Sequence, residues 1–345
     1  MKPEKLVEVK NLTVKFRTDE GIVSAVNGVN YDIIVGQTLG LVGESGCGKS
    51  VSSNALMRIL PENGWIDSGE LLFHSRTGTF DIAGLPQKDK RLELLHGKEM
   101  AMIFQEPMTS FCPVYTIGNQ IMEAIRLHTD IPKKEQRDYA VELLRKVRMS
   151  KPEQRVDEYP YQLSGGMRQR AMIAMALAGN PRLLIADEPT TSLDVTVQAQ
   201  ILNLLLELQQ EYHMSILMIN HNLGIIAETS DTVAVMYLGR IVELAPADEL
   251  LRNPLHPYTR GLFSSIPKVT DRRGTKLAYI EGSVPDAYSI PKGCAYHLRC
   301  PQAVKGLCDQ VAPTDCYPDG DHRVACHLYA DSAPSAPEED GDEHA

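Results

Sequence analysis

Alternating apolar and polar positions open the chain. Residues 6–16, and the stretches around Val23 and Tyr31, place apolar side chains at every second position, which predicts half-buried antiparallel strands. The segment 38–42 differs because nearly all of its residues are apolar, as is typical of a strand covered on both faces in a parallel sheet. It runs into a glycine-rich loop, and a helix is predicted to begin at Ser50.

The spacing of apolar residues changes along the middle of the chain. Residues 65–104 predict further strands with a polar insertion around 74–99. From about 116 to 178 the apolar residues recur at helical spacing, which predicts a helical subdomain inserted in the sheet. Three short apolar segments then alternate with helices, and this alternation predicts a parallel sheet covered by helices. These segments are 183–186, 216–219 and 232–236.

After about residue 253, Pro and Gly become frequent and the regular periodicity fades. We expect a smaller, loop-rich unit here, because 345 residues are more than one hydrophobic core usually supports. This unit holds a cluster of cysteines, whereas Cys47 and Cys112 stand alone. The clustered residues are Cys294, Cys300, Cys308, Cys316 and Cys326. Where no export signal precedes them, clustered thiols indicate a metal site more than disulfides.

Composition and charge narrow the class of protein. Hydrophobic residues make up 43% and charged residues 23% of the chain, which is ordinary for a folded globular protein. The net charge of -10 depends strongly on the C-terminus, where Asp and Glu accumulate without a Lys or Arg. We predict a disordered acidic tail at 330–345 and assign it no function. The mildly acidic body argues against nucleic acid as the main partner.

The sequence also bears on location. Its first ten residues carry charges where a signal peptide is apolar. No run approaches the roughly 18 apolar residues of a membrane-spanning helix. We therefore expect a cytoplasmic protein.

The glycine-rich loop after the first buried segment matches G-x-x-x-x-G-K-[ST] and lies between a predicted strand and a predicted helix, the context expected of a P-loop. Its glycines let backbone N–H groups surround phosphates, while Lys49 reaches the β- and γ-phosphates and Ser50 ligates Mg²⁺. Cys47 occupies a variable position and needs no redox role. The alternative is a chance glycine-rich turn. The predicted nucleotide contacts are Gly43, Glu44, Ser45, Gly46, Cys47, Gly48, Lys49, Ser50 and position 51.

Two further segments carry candidate chemistry. Asp187 and Glu188 end a buried strand, where α/β sheets place ligands, so Asp187 suits an outer-sphere Mg²⁺ contact and Glu188 suits a base for the attacking water. Taken alone, such acids are more often a helix cap. Ser164, Gly165 and Gly166 open a helix with a capping residue and bare backbone N–H groups. They indicate either a plain helix start or a second phosphate cradle.

The order of these elements resembles that of an ABC ATPase. The elements are the P-loop, Gln105 after an apolar strand, the segment 163–166, Asp187 with Glu188, the segment 192–194, and His221. The resemblance implies a head-to-tail dimer in which each ATP lies between one subunit's P-loop and the other's Ser164, Gly165 and Gly166.

The same resemblance implies a role for each catalytic residue. Lys49 binds phosphate, Gln105 senses Mg²⁺ and the membrane subunit, Glu188 orients water, and His221 contacts the γ-phosphate. Phe16 stacks on adenine in this interpretation, whereas a plain core position is its alternative.

The implied fold is an α/β P-loop ABC ATPase domain at 1–253. It contains a mixed sheet core, an antiparallel β subdomain and an inserted helical subdomain at about 107–180. A small, loop-rich, metal-binding C-terminal region at 254–329 follows, and the acidic tail ends the chain.

Over residues 5–328 the likeness is narrower, to oligopeptide/dipeptide transporter ATPases. It rests on the segments 102–110, 164–170, 186–191 and 256–259. It implies import of peptides, with two membrane permeases, a second ATPase, an extracytoplasmic solute-binding protein and a place at the cytoplasmic face of the membrane. Met167 stands where many signatures have Gln, which favours a heterodimer.

Hypotheses besides peptide import stay open. Relatives import nickel complexes, oligosaccharides or glutathione, so the cargo is not fixed by the sequence. The chain could also be a soluble, non-transport ABC ATPase or a non-catalytic partner subunit. Two positions depart from the family pattern: Asn222 follows His221 where Asp is common, and residues 111–113 read Phe-Cys-Pro instead of Leu-Asn-Pro.

The cysteine spacing resembles that of the same family's C-terminal region, which in some members holds a [4Fe–4S] cluster. The implied ligands are Cys294, Cys300, Cys308 and Cys326, with Cys316 to spare. Four thiolates suit such a cluster. A Cys₄ zinc site and unligated reduced thiols are the alternatives.

Overall fold

A computed structural model describes residues 3–106, 110–191, 193–266, 279–286 and 288–332. The strands are β1 (Lys5–Thr18), β2 (Gly21–Ile34), β3 (Thr38–Val42), β4 (Gly64–Ser75), β5 (Gly78–Asp81), β6 (Met100–Ile103), β7 (Leu183–Asp187), β8 (Ser215–Asn220), β9 (Thr232–Tyr237), β10 (Arg240–Pro246), β11 (Asp315–Asp319) and β12 (His322–Ala325). The helices are α1 (Lys49–Leu56), α2 (Lys90–Leu95), α3 (Ile117–His128), α4 (Gln136–Lys146), α5 (Pro152–Arg155), α6 (Gly165–Ala176), α7 (Val195–Tyr212), α8 (Leu223–Thr229), α9 (Ala247–Arg252) and α10 (Pro257–Ser264).

The strands form two sheets. One is antiparallel, with strand order β2-β1-β4-β5. The other has eight strands in the order β11-β12-β10-β9-β3-β8-β7-β6. Its section from β9 to β6 is parallel, and β10, β12 and β11 add antiparallel strands at one edge. The predicted mixed sheet and antiparallel subdomain are therefore confirmed.

Both faces of the large sheet are buried, which explains its continuous apolar segments. On β7, Leu184 and Ala186 join a core shared with the surrounding helices. Leu183 and Ile185 join a second core shared with the antiparallel sheet and α1. Since successive side chains of a strand point to opposite faces, an apolar residue is needed at every position.

Helices α3 to α6 lie between β6 and β7, where the helical insertion was predicted. Local capping fixes where two of them begin. The Thr116 side chain accepts from the N–H of Asn119 at the start of α3. Ser164 accepts from the N–H of Met167 at the start of α6, as the sequence predicted.

The C-terminal part of the chain returns to the large sheet. Strand β12 pairs with β10, with Val324 opposite Glu243, and β11 pairs with β12. Periodicity did not predict these strands, because runs of five and four residues carry little alternation.

Residues 333–345 of the predicted tail lie outside the described residues. In the part of the chain that the structure describes, no helix combines the length and apolarity needed to cross a membrane.

Candidate functional site

The P-loop joins the end of β3 to the start of α1. The helix begins at Lys49, one residue before the predicted start. The Lys49 ammonium donates to the carbonyl oxygens of Gly43 at 2.8 Å and Glu44 at 3.0 Å. A Cβ at Gly43 would lie 2.1 Å from the carbonyl oxygen of Met236, and Gly48 has a φ of 104°, so both positions require glycine.

Asp187 lies at the end of β7 beside the P-loop. The Ser50 hydroxyl donates to its carboxylate at 3.1 Å. Burial raises the pKa of Asp187; the Ser50 hydrogen bond lowers it, and the charge of Glu188 raises it again. A buried carboxylate of this kind is stabilised in its charged form by a cation, so a hydroxyl and a carboxylate oxygen at this distance fit Mg²⁺.

Glu188 follows in a left-handed conformation, with a φ of 45°, and its N–H donates to the carbonyl oxygen of Ile219. Its side chain is 14% exposed. Gln105 Nε2 donates to Glu188 Oε2 at 3.1 Å, Thr191 Oγ1 donates to it at 2.8 Å, and His221 Nδ1 lies 3.3 Å away. The positive φ is shared with other described residues such as Asn11 and Arg58, so the contacts of the carboxylate are what distinguish Glu188.

These groups meet because of the strand order. Gln105 follows β6, Glu188 follows β7, and His221 follows β8, while the P-loop follows β3. The four strands are parallel neighbours, so their carboxyl ends share one edge of the sheet. The predicted residues Lys49, Gln105, Glu188 and His221 all lie at this edge.

Thr191 contacts the Glu188 carboxylate, although the sequence predicted no role for Thr191 beyond membership of the segment 186–191. A signal was present in its position three residues after Glu188, a spacing at which a turn brings a hydroxyl back to the earlier residue. Ser192 and residues 107–109 lie outside the described residues. Asp194 accepts from the N–H groups of Thr196 and Val197 and so caps α7.

Ser164 lies in the helical insertion and not at the strand ends. It is exposed, and Gly165 and Gly166 begin α6 behind it. A Cβ at Gly166 would lie 2.9 Å from a Val197 methyl group, so this helix end approaches α7 closely.

Two more of the predicted nucleotide contacts are partly or fully buried. Phe16 is partly buried in β1 and packs on Gly64, where a Cβ would lie 2.6 Å from its ring. Its contact with adenine stays a prediction. Cys47 is 3% exposed, and burial raises the pKa of its thiol.

The residues that depart from the family pattern each make defined contacts. Asn222 caps α8, because its side-chain oxygen accepts from the N–H groups of Gly224 and Ile225. Phe111 is buried in the core that holds the helical insertion. The N–H of Cys112 donates to the side-chain oxygen of Gln120.

The C-terminal cysteines are all buried or partly buried. Burial raises the pKa of Cys326 to about 11, and Cys294, Cys300 and Cys308 contribute in the same direction. Burial also raises the pKa of Cys294, with added contributions from Cys308 and Cys300. The pKa of Cys316 is raised by burial and then by Asp315, and its thiol contacts the carbonyl oxygen of Thr314.

The structure does not itself show a metal centre in this region. Within the ranges it describes, no group of three or more His, Cys, Asp or Glu side chains is arranged to hold a metal ion. The charges of Cys294, Cys300 and Cys308 raise the pKa of Cys326, and Cys326 also shares a small buried cluster with Cys316.

We call the sheet edge at which Lys49, Gln105, Glu188 and His221 lie the nucleotide-binding edge. Comparisons with known proteins agree with a nucleotide-binding function. A family model described as ABC transporter matches residues 26–191, and one described as the oligopeptide/dipeptide transporter C-terminal region matches residues 242–308. The oligopeptide transport ATP-binding protein OppD of Bacillus subtilis is 47% identical over 310 residues, covering 90% of this chain and 85% of that protein. This chain belongs to the oligopeptide/dipeptide family of ABC transporter ATP-binding subunits.

Other similar proteins extend the comparison. The dipeptide transport ATP-binding protein DppD of Haemophilus influenzae is 46% identical over 322 residues, covering 93% of this chain and 95% of that protein. Among solved structures, the dimeric ATP-binding cassette MJ0796 bound to ADP and Pi matches with a TM-score of 0.61 and 25% identity. That match covers 70% of this chain and 98% of the other, which supports the ABC ATPase fold of the core.

Proposed function

We propose that this chain is the ATP-hydrolysing motor subunit of an importer for di- or oligopeptides. The observation that carries this proposal is the arrangement at Glu188, whose carboxylate meets Gln105, Thr191 and His221 at the sheet edge that bears the P-loop. The names of its relatives and the match of its C-terminal region support peptides as cargo. The subunit acts beneath two membrane permeases that receive solute from an extracytoplasmic binding protein.

ATP binding begins at the P-loop. Two carbonyl oxygens hold the Lys49 ammonium beside the start of α1, where backbone N–H groups favour phosphate. Mg²⁺ bound with ATP would neutralise charge on the phosphates. Ser50 and Asp187 supply oxygen donors that fit this ion.

Hydrolysis depends on Glu188. Its carboxylate orients the attacking water and accepts a proton as the water oxygen bonds to the γ-phosphorus and the bond to ADP breaks. Gln105 and Thr191 fix the carboxylate by donating to the same oxygen. His221 lies at 3.3 Å from that oxygen and contacts the γ-phosphate.

A complete site needs a second subunit. Ser164, Gly165 and Gly166 start a helix in the insertion, away from the P-loop's own edge, so they are available to the nucleotide of a partner. A structurally similar cassette is a dimer. We favour a heterodimer with a related ATPase, because Met167 replaces the Gln of many signatures.

An apolar groove lined by Phe104, the residue before Gln105, suits a permease. It has a volume of about 230 Å³ and lies between β6 and helices of the insertion. Phe104 is 44% exposed at this groove, and Met175 and Ala124 also line it. A short cytoplasmic helix of the permease would bury this surface and place its movement next to Gln105 and Glu188. The chain is then peripheral at the cytoplasmic face of the membrane.

We also propose that Cys294, Cys300, Cys308 and Cys326 ligate a structural metal centre. A [4Fe–4S] cluster is favoured and zinc is the alternative, because four thiolates suit either. The effect of the other three thiols on the pKa of Cys326 supports this ligand set. Such a centre supplies folding energy to a loop-rich segment and has no part in hydrolysis.

The transport function is tested by reconstitution. The subunit, its related ATPase and two co-encoded permeases are placed in proteoliposomes, and hydrolysis is measured with a solute-binding protein loaded with peptides. We expect stimulation by peptide-loaded binding protein, and its loss in Glu188→Gln. If only a nickel complex, an oligosaccharide or glutathione stimulated hydrolysis, that solute would be assigned as the cargo instead of peptides. Equal hydrolysis without permeases would instead favour a soluble ABC ATPase.

A further inference from the structure

The second residue of the P-loop is held by the C-terminal region. Arg299 Nη1 donates to Glu44 Oε2 at 2.8 Å, and Arg299 Nη2 donates to Glu44 Oε1 at 3.1 Å. The Arg299 side chain is only 5% exposed. Both carboxylate oxygens are therefore paired with one guanidinium, a geometry that fixes direction as well as distance.

The backbone of Glu44 is held by the same part of the chain. Its N–H donates to Tyr258 Oη at 3.0 Å, and Tyr258 is fully buried at the start of α10. Its carbonyl oxygen accepts from Lys49 at 3.0 Å. The residue that positions the phosphate-binding Lys49 is thus itself fixed from two sides.

The surroundings of Arg299 make this contact rigid. Its guanidinium lies 5.9 Å from the centre of the Tyr237 ring and donates to Tyr237 Oη at 3.5 Å. The rings of Tyr237, Tyr258 and Tyr296 pack together, with centroids between 4.8 and 5.4 Å apart. This aromatic cluster joins β9, α10 and the cysteine segment, by which we mean residues 294–326. Arg299 therefore has little freedom to leave Glu44.

A purely structural ion pair is the competing interpretation. It would predict a loss of stability without a specific effect on nucleotide. The contacts here favour a positioning role, because the chain of bonds runs from Arg299 through Glu44 directly to Lys49. Among the described residues, no carboxylate besides that of Glu44 is paired with Arg299.

We propose that Arg299 and Tyr258 position the P-loop through Glu44, so that the C-terminal region sets the affinity for MgATP. Neither residue touches nucleotide, and both act as positioning residues. The inference rests on the proposed function, because it assumes that the P-loop binds ATP. It assigns to the C-terminal region a role in the nucleotide site besides stabilising its own fold.

The test is titration of the full-length chain with a fluorescent ATP analogue and Mg²⁺, together with the KM and kcat of the assembled transporter. Arg299→Ala is expected to weaken binding at least about tenfold and to raise KM, with kcat within about threefold of the unaltered protein. Arg299→Lys keeps the charge and should recover part of the affinity. Tyr258→Phe, which removes only the acceptor for the Glu44 N–H, should weaken binding about threefold.

Arg260→Ala is the matched control. Arg260 belongs to the same region but bonds to Tyr329 and to the carbonyl oxygen of Pro254, so its loss should leave affinity unchanged. If Arg299→Ala does not fold, Glu44→Gln tests the pair from the other side, because it keeps the shape and removes the charge.

A double-mutant cycle decides the pathway. If Arg299 acts through Glu44, Arg299→Ala should have little further effect on affinity in a Glu44→Ala background. Unaltered affinity in Arg299→Ala, or full additivity in the cycle, overturns the inference while leaving the proposed function intact. Failure of the unaltered protein to bind MgATP overturns both.

Discussion

The nucleotide-binding edge and the cysteine segment differ in how their chemical groups are held. At the edge, Lys49 is bonded to two carbonyl oxygens, and Glu188 is fixed by Gln105 and Thr191. These residues follow parallel strands whose positions are set by a sheet buried on both faces. The groups of this site are therefore held by contacts within the protein's own fold.

The cysteine segment is held mainly by backbone hydrogen bonds of turns between residues close in sequence. The N–H of Cys294 donates to the carbonyl oxygen of Cys308, and the N–H of Val304 donates to the Cys308 sulfur. Regular structure near the thiols consists of short pieces: 3-10 helices at His297–Arg299 and His327–Ser332, and the strands β11 and β12. The metal centre proposed above would add cross-links between these short pieces of structure.

Among the substitutions predicted below, loss of one proposed metal ligand should have the largest effect. Cys300→Ser should abolish the brown colour of anaerobically purified protein and destabilise the C-terminal region by several kcal/mol, because metal binding contributes folding energy. Absorbance near 400 nm and limited proteolysis measure the two effects.

The control for this prediction is Cys316→Ser. Cys316 lies outside the proposed ligand set, so this variant should keep its colour and its protease resistance. Equal loss of colour in both variants would show that the ligand set is wrong. A colourless anaerobic protein with stoichiometric zinc and no iron would replace the cluster by a zinc site.

Removal of the Glu188 carboxylate tests the catalytic role proposed for this residue. Glu188→Gln should slow ATP turnover in the assembled transporter by at least about a hundredfold, the scale of acid–base assistance, or about 3 kcal/mol or more. Affinity for MgATP should persist, because Glu188 is not part of the P-loop. Steady-state hydrolysis and nucleotide titration separate the two.

Glu211→Gln serves as its control. Glu211 pairs with Lys146 on the exposed side of α7, so this substitution removes a carboxylate without changing the nucleotide edge. Its turnover should stay normal. Near-normal hydrolysis in Glu188→Gln would exclude the assigned role.

Much of the nucleotide edge could be predicted from sequence because its signals are local. The P-loop is one contiguous motif, and β3, β7, β8 and β9 each follow from a short apolar run. The contact between Arg299 and Glu44 could not be found this way, because the two residues are 255 positions apart. Tyr258 likewise belongs to a segment typical of the family, but only tertiary structure relates its hydroxyl to the P-loop.

The C-terminal region was less predictable for a related reason. Strand β12 is four residues long and is stabilised by pairing with β10, which is remote in sequence. Its buried His322 meets the fully buried Glu243 at 2.7 Å, a contact that neither residue's neighbours in sequence indicate. Tertiary pairing decided this part of the fold, and propensity had little influence.

A fall in pH should lower the stability of the chain through His256, which lies between the large sheet and α10. His256 is fully buried before α10, and burial lowers its pKa to about 4, with Glu243 raising it and Arg260 lowering it. In the unfolded chain its pKa is about 6.5, so the unfolded state binds the proton first as the pH falls. Stability should be unaffected by this group above about pH 6.5 and should fall by about 3 kcal/mol between about pH 6.5 and 4.

Urea unfolding of His256→Asn measures this effect. The His256 Nδ1 accepts from the N–H of Tyr258 at the start of α10, and Asn can also cap a helix but does not titrate. The variant should therefore show a flatter dependence of stability on pH across the range between the unfolded and folded pKa values of His256. An identical slope in both proteins would assign the acid sensitivity to other groups.

The smallest effect is expected at Asn222, where the nucleotide edge departs from its family. The Asn222 side-chain oxygen already accepts from Gly224 and Ile225 at 2.9 and 3.3 Å, and Asp caps helices about as well as Asn. Asn222→Asp adds a negative charge at the start of α8, which should stabilise the chain by about 0.5 kcal/mol in low salt. Turnover should stay within about twofold, because His221 keeps its contact with Glu188. Thermal unfolding at low and high salt, compared with hydrolysis rates, measures both. A large change in turnover with unchanged stability would mean that position 222 acts on the reaction itself, and that the organised edge extends beyond the groups that meet at Glu188.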